Sequence, residues 1–212
     1  MSLILIPTAF EAAPFVHKLG HAASYQMGRR PAWVGEIGKQ TVHVSLIGMG
    51  PVHCVEPAVE AIRLVKPKRV ILAGFGGALG PSLQRGDIVI DRGEGKIHTA
   101  ADVVSTPAEK AAIFEKTGCP VVDMESAPVA EATTAAGVPL TVIRAISDTA
   151  TEEMPAFLDK GFDRARGKET PLRMAAHLLT HPGDIFRLRR LLRTWDPVRH
   201  ALAEAIAAEL AQ

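Results

Sequence analysis

Short apolar runs bounded by glycine, proline and small polar residues alternate with helix-spaced apolar positions over the first 150 residues. That alternation predicts strands interleaved with helices. Residues 3–6 predict a buried first strand, and Pro7-Thr8 turns into a helix with Ala12, Phe15, Val16 and Leu19 on its apolar face. Residues 33–37 and 41–47 predict an antiparallel hairpin joined at Gly38-Lys39, with Val42, Val44 and Leu46 alternating along its second strand. A helix follows, with Val55, Ala58, Val59, Ile62 and Val65 on one face. Residues 69–73 predict another strand, opening into a glycine-dense loop, Gly74-Phe75-Gly76-Gly77-Ala78-Leu79-Gly80, and Gly86-Asp87 turns into a strand at 88–90.

Thr106-Pro107-Ala108-Glu109 has the form of a helix start, with Thr106 as cap, Pro107 first and Glu109 closing a capping box. That helix runs to about Lys116 and ends at Gly118. Residues 121–127 predict a strand passing into a helix capped by Ser126, and a second apolar strand ends in Ser147-Asp148. Set in a parallel sheet, the two strands would bring Glu125 and Asp148 to one edge, where open α/β sheets bind ligands. Beyond Asp148 the sheet is complete and helices follow at 172–179, 184–194 and 197–210. The expected architecture is therefore α/β, a single domain over 1–212 with a mixed central sheet flanked by helices and a helical tail over 170–212.

Composition narrows the class. The 212 residues are 47% hydrophobic, enough for one sizeable core. A formal charge of +1 argues against a nucleic-acid partner held by a broad basic surface. Two cysteines, Cys54 and Cys119, give no disulfide framework, and the apolar start at 1–6 is too short for a signal peptide or a membrane span. A cytoplasmic protein is expected, with no metal site. The segment 184–193 sets Ile185, Leu188, Leu191 and Leu192 against Arg187, Arg189, Arg190 and Arg193. This pattern suits either a solvated face on a packed helix or a peripheral contact with an anionic membrane.

Several positions could carry chemistry. Glu11 is either a helix-start acid favoured by the helix dipole or a carboxylate at the end of the first strand. Gly48-Met49-Gly50 lies between a strand and a helix, where backbone N–H groups can approach an anion or a sugar. The glycine-dense segment at 74–80 lacks the Lys and Ser/Thr of a P-loop, which argues against nucleotide hydrolysis.

Three segments in order, Gly74 to Leu79 with Gly86-Asp87-Ile88-Val89, Val122-Asp123-Met124-Glu125-Ser126-Ala127, and Val142-Ile143-Arg144-Ala145-Ile146-Ser147-Asp148, resemble the nucleoside phosphorylase/nucleosidase superfamily. The Thr106-Pro107-Ala108-Glu109-Lys110 helix start and the tail near His181-Pro182-Gly183 are most similar to its hopanoid-associated branch, linked to removal of adenine from adenosylhopane in bacteria. The resemblance implies cleavage of a purine N-ribosyl bond. Asp148 would be the acid at the base, with Val103, Val104 and Gly76 lining the base pocket. Glu125 would accept the ribose hydroxyls, and Met124 would pack under the sugar. The resemblance implies no organic cofactor and a homo-oligomer.

Departures from the family pattern bear on the nucleophile. Phe75 stands where phosphorylases usually place a phosphate-binding serine or threonine, whereas Glu11 is the nearest match to the water-activating glutamate of hydrolytic members. The balance leans towards water. Inorganic phosphate stays open as a co-substrate, at a phosphate or water site made by Gly48, Gly50, Gly74 and Phe75 with an arginine such as Arg29 or Arg30. The interval between Asp87 and Asp123 is short for the family, which would trim the wall beside the sugar's 5′ position and suit a bulky substituent. A nucleosidase acting on methylthioadenosine, S-adenosylhomocysteine or futalosine is the alternative enzyme, and a non-catalytic purine-nucleoside binding module the alternative from another class.

Overall fold

The structure is a computed structural model that describes residues 1–155, 157–158, 162–163 and 168–212. Its centre is a mixed nine-stranded sheet. β1 (Ser2–Ile6) lies between β4 (Gln40–Leu46) and β5 (Arg69–Ala78), parallel to both. β3 (Arg30–Ile37) and β2 (Gly20–Met27) extend one side as antiparallel neighbours. β5 also pairs in parallel with β9 (Leu140–Asp148), which carries β6 (Ile88–Asp91) on its other edge. The end of β5 turns to a third partner, β8 (Val121–Asp123), beside which β7 (Ile97–Thr99) runs parallel.

The two-residue period of the strands divides their side chains between two cores. Ile4, Ile6, Ile71, Ala73, Ile143 and Ala145 pack on α1 (Ala9–Val16) and the second half of α6 (Gly183–Leu210). Leu3, Leu5, Val70, Leu72 and Val142 face the opposite way, towards α2 (Val55–Val65) and α4 (Ser126–Ala136). The sheet is thus covered on both faces. Helices α3 (Pro107–Thr117) and α5 (Pro171–Thr180) and a small antiparallel pair, β10 (Phe162–Asp163) with β11 (Lys168–Glu169), complete the described elements.

The hairpin at Gly38-Lys39 and the capped start of α3 stand as expected: Gly38 has φ 60°, and Thr106 and Glu109 form the reciprocal cap. Several expectations are corrected. Residues 74–78 are strand, not loop, because glycine lets β5 hold partners on both sides where they crowd it. A Cβ at Gly76 would lie 2.8 Å from Val121 Cγ1. β2 and β7 carry too little alternation to announce themselves; β2 is mostly exposed. Helix α4 is capped by Glu125, one residue earlier than expected, and the Ser126 hydroxyl donates to Asp123.

Residues 184–210 form one helix rather than two. Pro197 removes the bond to the Arg193 carbonyl, a cost of about 3 kcal/mol in a helix interior. The helix is held on both sides of it, by Trp195 Nε1 donating to the Ser147 carbonyl at 3.2 Å and by buried Val198, Leu202, Ala203 and Ile206.

Candidate active site

Strands β8 and β9 do not lie side by side; β5 runs between them, parallel to β9 and antiparallel to β8. The chain leaving β8 therefore doubles back along β5, and Asp123, Met124 and Glu125 approach the ends of β1, β4 and β5 from the opposite direction. The sheet edge still gathers the acids, through a different topology from the parallel pair expected.

Glu11 begins this cluster. Its Oε2 accepts from the Thr8 hydroxyl at 2.5 Å and from the Thr8 N–H at 3.1 Å, closing the cap of α1 as a helix-start acid does. Its Oε1 turns away from the helix and accepts from the Phe75 N–H at 2.7 Å. Burial pushes the carboxyl above its ordinary pKa, against the hydrogen bonds from Thr8 and Phe75 and the charge of Arg144.

Arg144 stands at the centre, fully buried on β9. Its Nε and Nη2 donate to Asp123 Oδ2 at 2.8 and 2.5 Å, and Nη2 also reaches Glu125 Oε2 at 3.3 Å. Among the described residues, its Nη1 is the buried side-chain atom left without a hydrogen-bond partner. Burial works against the guanidinium charge, but Asp123, Glu125 and Glu11 outweigh it and hold the group above its ordinary pKa. Gly74 pairs with Arg144 across the sheet, and the fit explains the glycine. A Cβ there would meet Nη1 at 2.4 Å and Glu11 Oε1 at 3.1 Å.

Glu125 lies at the start of α4 with its side chain turned to the sheet, where Oε1 accepts from the Gly50 N–H at 2.8 Å. Burial pushes its carboxyl up to about 7, Arg144 pulling down and Asp123 pushing up. Met124 lies beside the same loop, its Cε 3.7 Å from where a Cβ on Gly50 would stand. Thr99 Oγ1 and the Ser126 hydroxyl fix Asp123 from the remaining sides.

Asp148 is aimed by a bulge. Ile146 pairs with Gly76 and Asp148 with Gly77, so Ser147 is an extra residue in β9. Such bulges redirect the following side chain. Ser147 Oγ donates to Asp148 Oδ1 at 2.6 Å, and Asp148 Oδ2 accepts from the Lys110 ammonium at 2.5 Å. Asp148 thus meets β5 at Gly77, where a Cβ would stand 3.3 Å from its Oδ2, and Glu125 reaches the strand through Arg144, the partner of Gly74. Gly76 is in the strand between them, while Val103 and Val104 lie in the open segment ahead of α3. The Ser105 carbonyl ties that segment to the Met154 N–H, just beyond Asp148.

Of the backbone groups suggested for phosphate, the Gly50 and Phe75 N–H groups donate to Glu125 and Glu11, and the Gly48 N–H donates to the Pro7 carbonyl at 3.1 Å. The sequence reading did not single out Arg144, Asp123 or Lys110 for any role. A lone arginine in the apolar run 142–146 was the available signal for the first of these.

The Phosphorylase superfamily profile matches this chain in two segments, residues 3–93 and 90–180. The chain belongs to the phosphorylase superfamily. This membership makes it an enzyme of the phosphorylase/nucleosidase type, which cleaves N-ribosyl bonds. Similar folds include Helicobacter pylori 5′-methylthioadenosine/S-adenosyl homocysteine nucleosidase (15% identity, TM-score 0.72, 99% of this chain and 97% of that one). The futalosine hydrolase of the same organism aligns equally well (16% identity, TM-score 0.72, 99% and 97%). The Neisseria meningitidis 5′-methylthioadenosine/S-adenosylhomocysteine nucleosidase, in complex with methylthio-immucillin-A, aligns at 18% identity and TM-score 0.69, over 98% of both chains. No curated protein matches by sequence. This superfamily member shares the fold of those nucleosidases, while its sequence has diverged far from theirs.

Proposed function

We propose that the protein hydrolyses the N-glycosidic bond of an adenosyl nucleoside, with water as the nucleophile. The observation that carries this reading is the Phe75 N–H donating to Glu11 Oε1. The backbone donor that could have bound phosphate instead orients a carboxylate. A phosphate dianion would have to displace such bonds and enter beside Glu11, Asp123 and Glu125, with Arg144 as the guanidinium among them. That is a costly arrangement in a buried site.

Glu11, made a stronger base by burial, takes a proton from water. As the C1′–N9 bond breaks, positive charge grows on the sugar and negative charge on the base. Glu125 accepts the ribose hydroxyls, Met124 packs under the ring, and Asp148 protonates the purine at N7. Val103, Val104 and Gly76 border the base.

Incubation with methylthioadenosine and bulkier 5′-substituted adenosines, with and without inorganic phosphate, tests the reading. Adenine and a free ribosyl sugar should form at a rate that phosphate does not raise. Ribose 1-phosphate products would show phosphorolysis instead, and binding without adenine release would indicate a non-catalytic nucleoside module.

For the 5′ substituent the reading is a bulky apolar group, as in adenosylhopane. The short stretch between Asp87 and Asp123 supports it, as does a groove of about 510 Å³ whose leucines and isoleucine (Leu178, Ile185, Leu188 and Leu192) are flanked by the charged Arg189, Arg193 and Asp196. Trp195, one turn further along α6, is the link from this groove to the Ser147 carbonyl beside Asp148. A smaller 5′ group is the second reading, favoured by the shared fold with nucleosidases whose names record methylthioadenosine or futalosine.

Among the described residues no helix is long and apolar enough to cross a membrane. The first half of α6 nevertheless exposes Phe186 (77%) and Ile185 (46%) beside Arg187, Arg189, Arg190 and Arg193. This favours peripheral contact with an anionic bilayer. Vesicles containing anionic lipid should pellet the protein, and changing all four arginines to glutamine should abolish pelleting. Equal pelleting of both would remove the membrane from the reading.

A further inference from the structure

Lys110 is a lysine with no solvent exposure, on the inner face of α3. Its Nζ donates to Asp148 Oδ2 at 2.5 Å and to the carbonyls of Thr149 and Glu152, each at 2.7 Å. Three acceptors match the three protons of an ammonium group. The same frame suits the neutral amine. Its two N–H groups would keep the two carbonyls, and its lone pair would face Oδ2, ready to accept from a protonated Asp148. Moving one proton from Nζ to Oδ2 leaves no polar atom of this frame without a partner, so burial does not oppose the transfer as it opposes an unpaired charge.

The acid role of Asp148 creates a need for such a transfer. A carboxylate held 2.5 Å from an ammonium has no proton of its own to give a departing purine. We propose that Lys110 supplies, through Asp148, the proton that the leaving base receives. This rests on the hydrolytic reading above.

The balance is simple. Nζ gives a proton to Asp148, and the neutral carboxyl gives one to N7 as the electron pair of the C1′–N9 bond passes to the purine. Water adds to C1′ and loses its proton to Glu11. The turnover ends with Lys110 as the amine and Glu11 protonated, and exchange with solvent restores both. Lys110 does not touch the substrate and is a positioning residue that acts through Asp148.

A leaving group that departs without protonation separates this role from a structural one. The test compares release of adenine with release of 4-nitrophenol from the riboside carrying the same 5′ substituent. Lys110→Met should lose about 10²-fold or more in kcat/KM on the adenine compound. On the nitrophenyl riboside it should lose no more than about 3-fold, since no proton is needed there. The ratio of the two values cancels any inactive fraction, so a poorly folding variant still gives an answer, and Lys110→Gln repeats the measurement with a polar, proton-poor side chain. Equal losses on both compounds would overturn the inference, because Lys110 would then only hold the loop. Asp148→Asn guards the parent reading: it should show the same selectivity. Its failure to do so would sink the acid assignment itself, whereas selectivity in Asp148→Asn without selectivity in the Lys110 variants would sink only the role of Lys110.

Discussion

Asp148→Asn should lower kcat on an adenosyl nucleoside by about 10²- to 10⁴-fold, the range that loss of a positioned acid commonly costs. Nucleoside affinity should change far less. The asparagine keeps an oxygen for Lys110 or for the Ser147 hydroxyl, which the acid contacts at 2.5 and 2.6 Å, and so preserves much of the local frame. It cannot accept a proton from Nζ or pass one to N7. Steady-state kinetics give the loss in kcat, and calorimetric titration with a non-hydrolysable nucleoside gives the affinity. A variant retaining more than about a tenth of wild-type turnover would remove Asp148 from the acid role, because proton donation is worth more than that. A parallel melting curve is needed, since a buried ammonium deprived of its carboxylate weakens the fold in its own right.

Local patterns carried much of the fold. The alternation of Val42, Val44 and Leu46 after a glycine-containing turn has few structural solutions, and the Thr106-Pro107-Ala108-Glu109 cap has essentially one; both stand in the structure. What local patterns cannot carry is the identity of a strand's neighbours. The glycines at 74, 76 and 77 resembled a loop because loops contain glycine. In the structure they are strand residues kept bare so that Arg144, Val121 and Val122 can cross them. Likewise Pro197 resembled the first residue of a separate helix, and the tertiary anchors on either side of it were invisible in the sequence.

The candidate site was legible in its outward parts and hidden in its support. Glu11, Glu125 and Asp148 stood out as acids at strand ends. Lys110 did not, since a lysine in the first turns of a helix is ordinarily solvated. The clue was its place on the same helical face as Ile113 and Phe114, three and four residues on, where an apolar residue belongs. Arg144 and Asp123 gave a similar clue, charges within or ending otherwise apolar strands. A charge on an apolar stripe implies a buried partner of opposite sign, but only the fold says which.

The balance of charge around Arg144 leads to the largest expected effect on stability. Arg144→Met leaves Asp123 without two charge-assisted hydrogen bonds and Glu11 and Glu125 without the cation that draws their pKa values down. Breaking a buried ionic cluster from one side costs about 3–5 kcal/mol, which urea titration would read directly. The loss should also depend on pH, with a sign that follows from burial. In the native protein Glu125 titrates at about 7, above its ordinary value of 4.5. Its contribution to stability is therefore complete below about 4.5 and is lost as pH rises through about 7. Without Arg144, both Glu125 and Glu11 move further up, so the folded variant binds protons more tightly than its unfolded chain over a wider range. The gap between variant and wild type should be smallest near pH 5 and widen towards pH 8, because neutral carboxyls need no cation and ionised ones do. A gap that stays constant across that range would mean that Arg144 supports the fold by packing alone, and that the three acids around it are not an electrostatic unit.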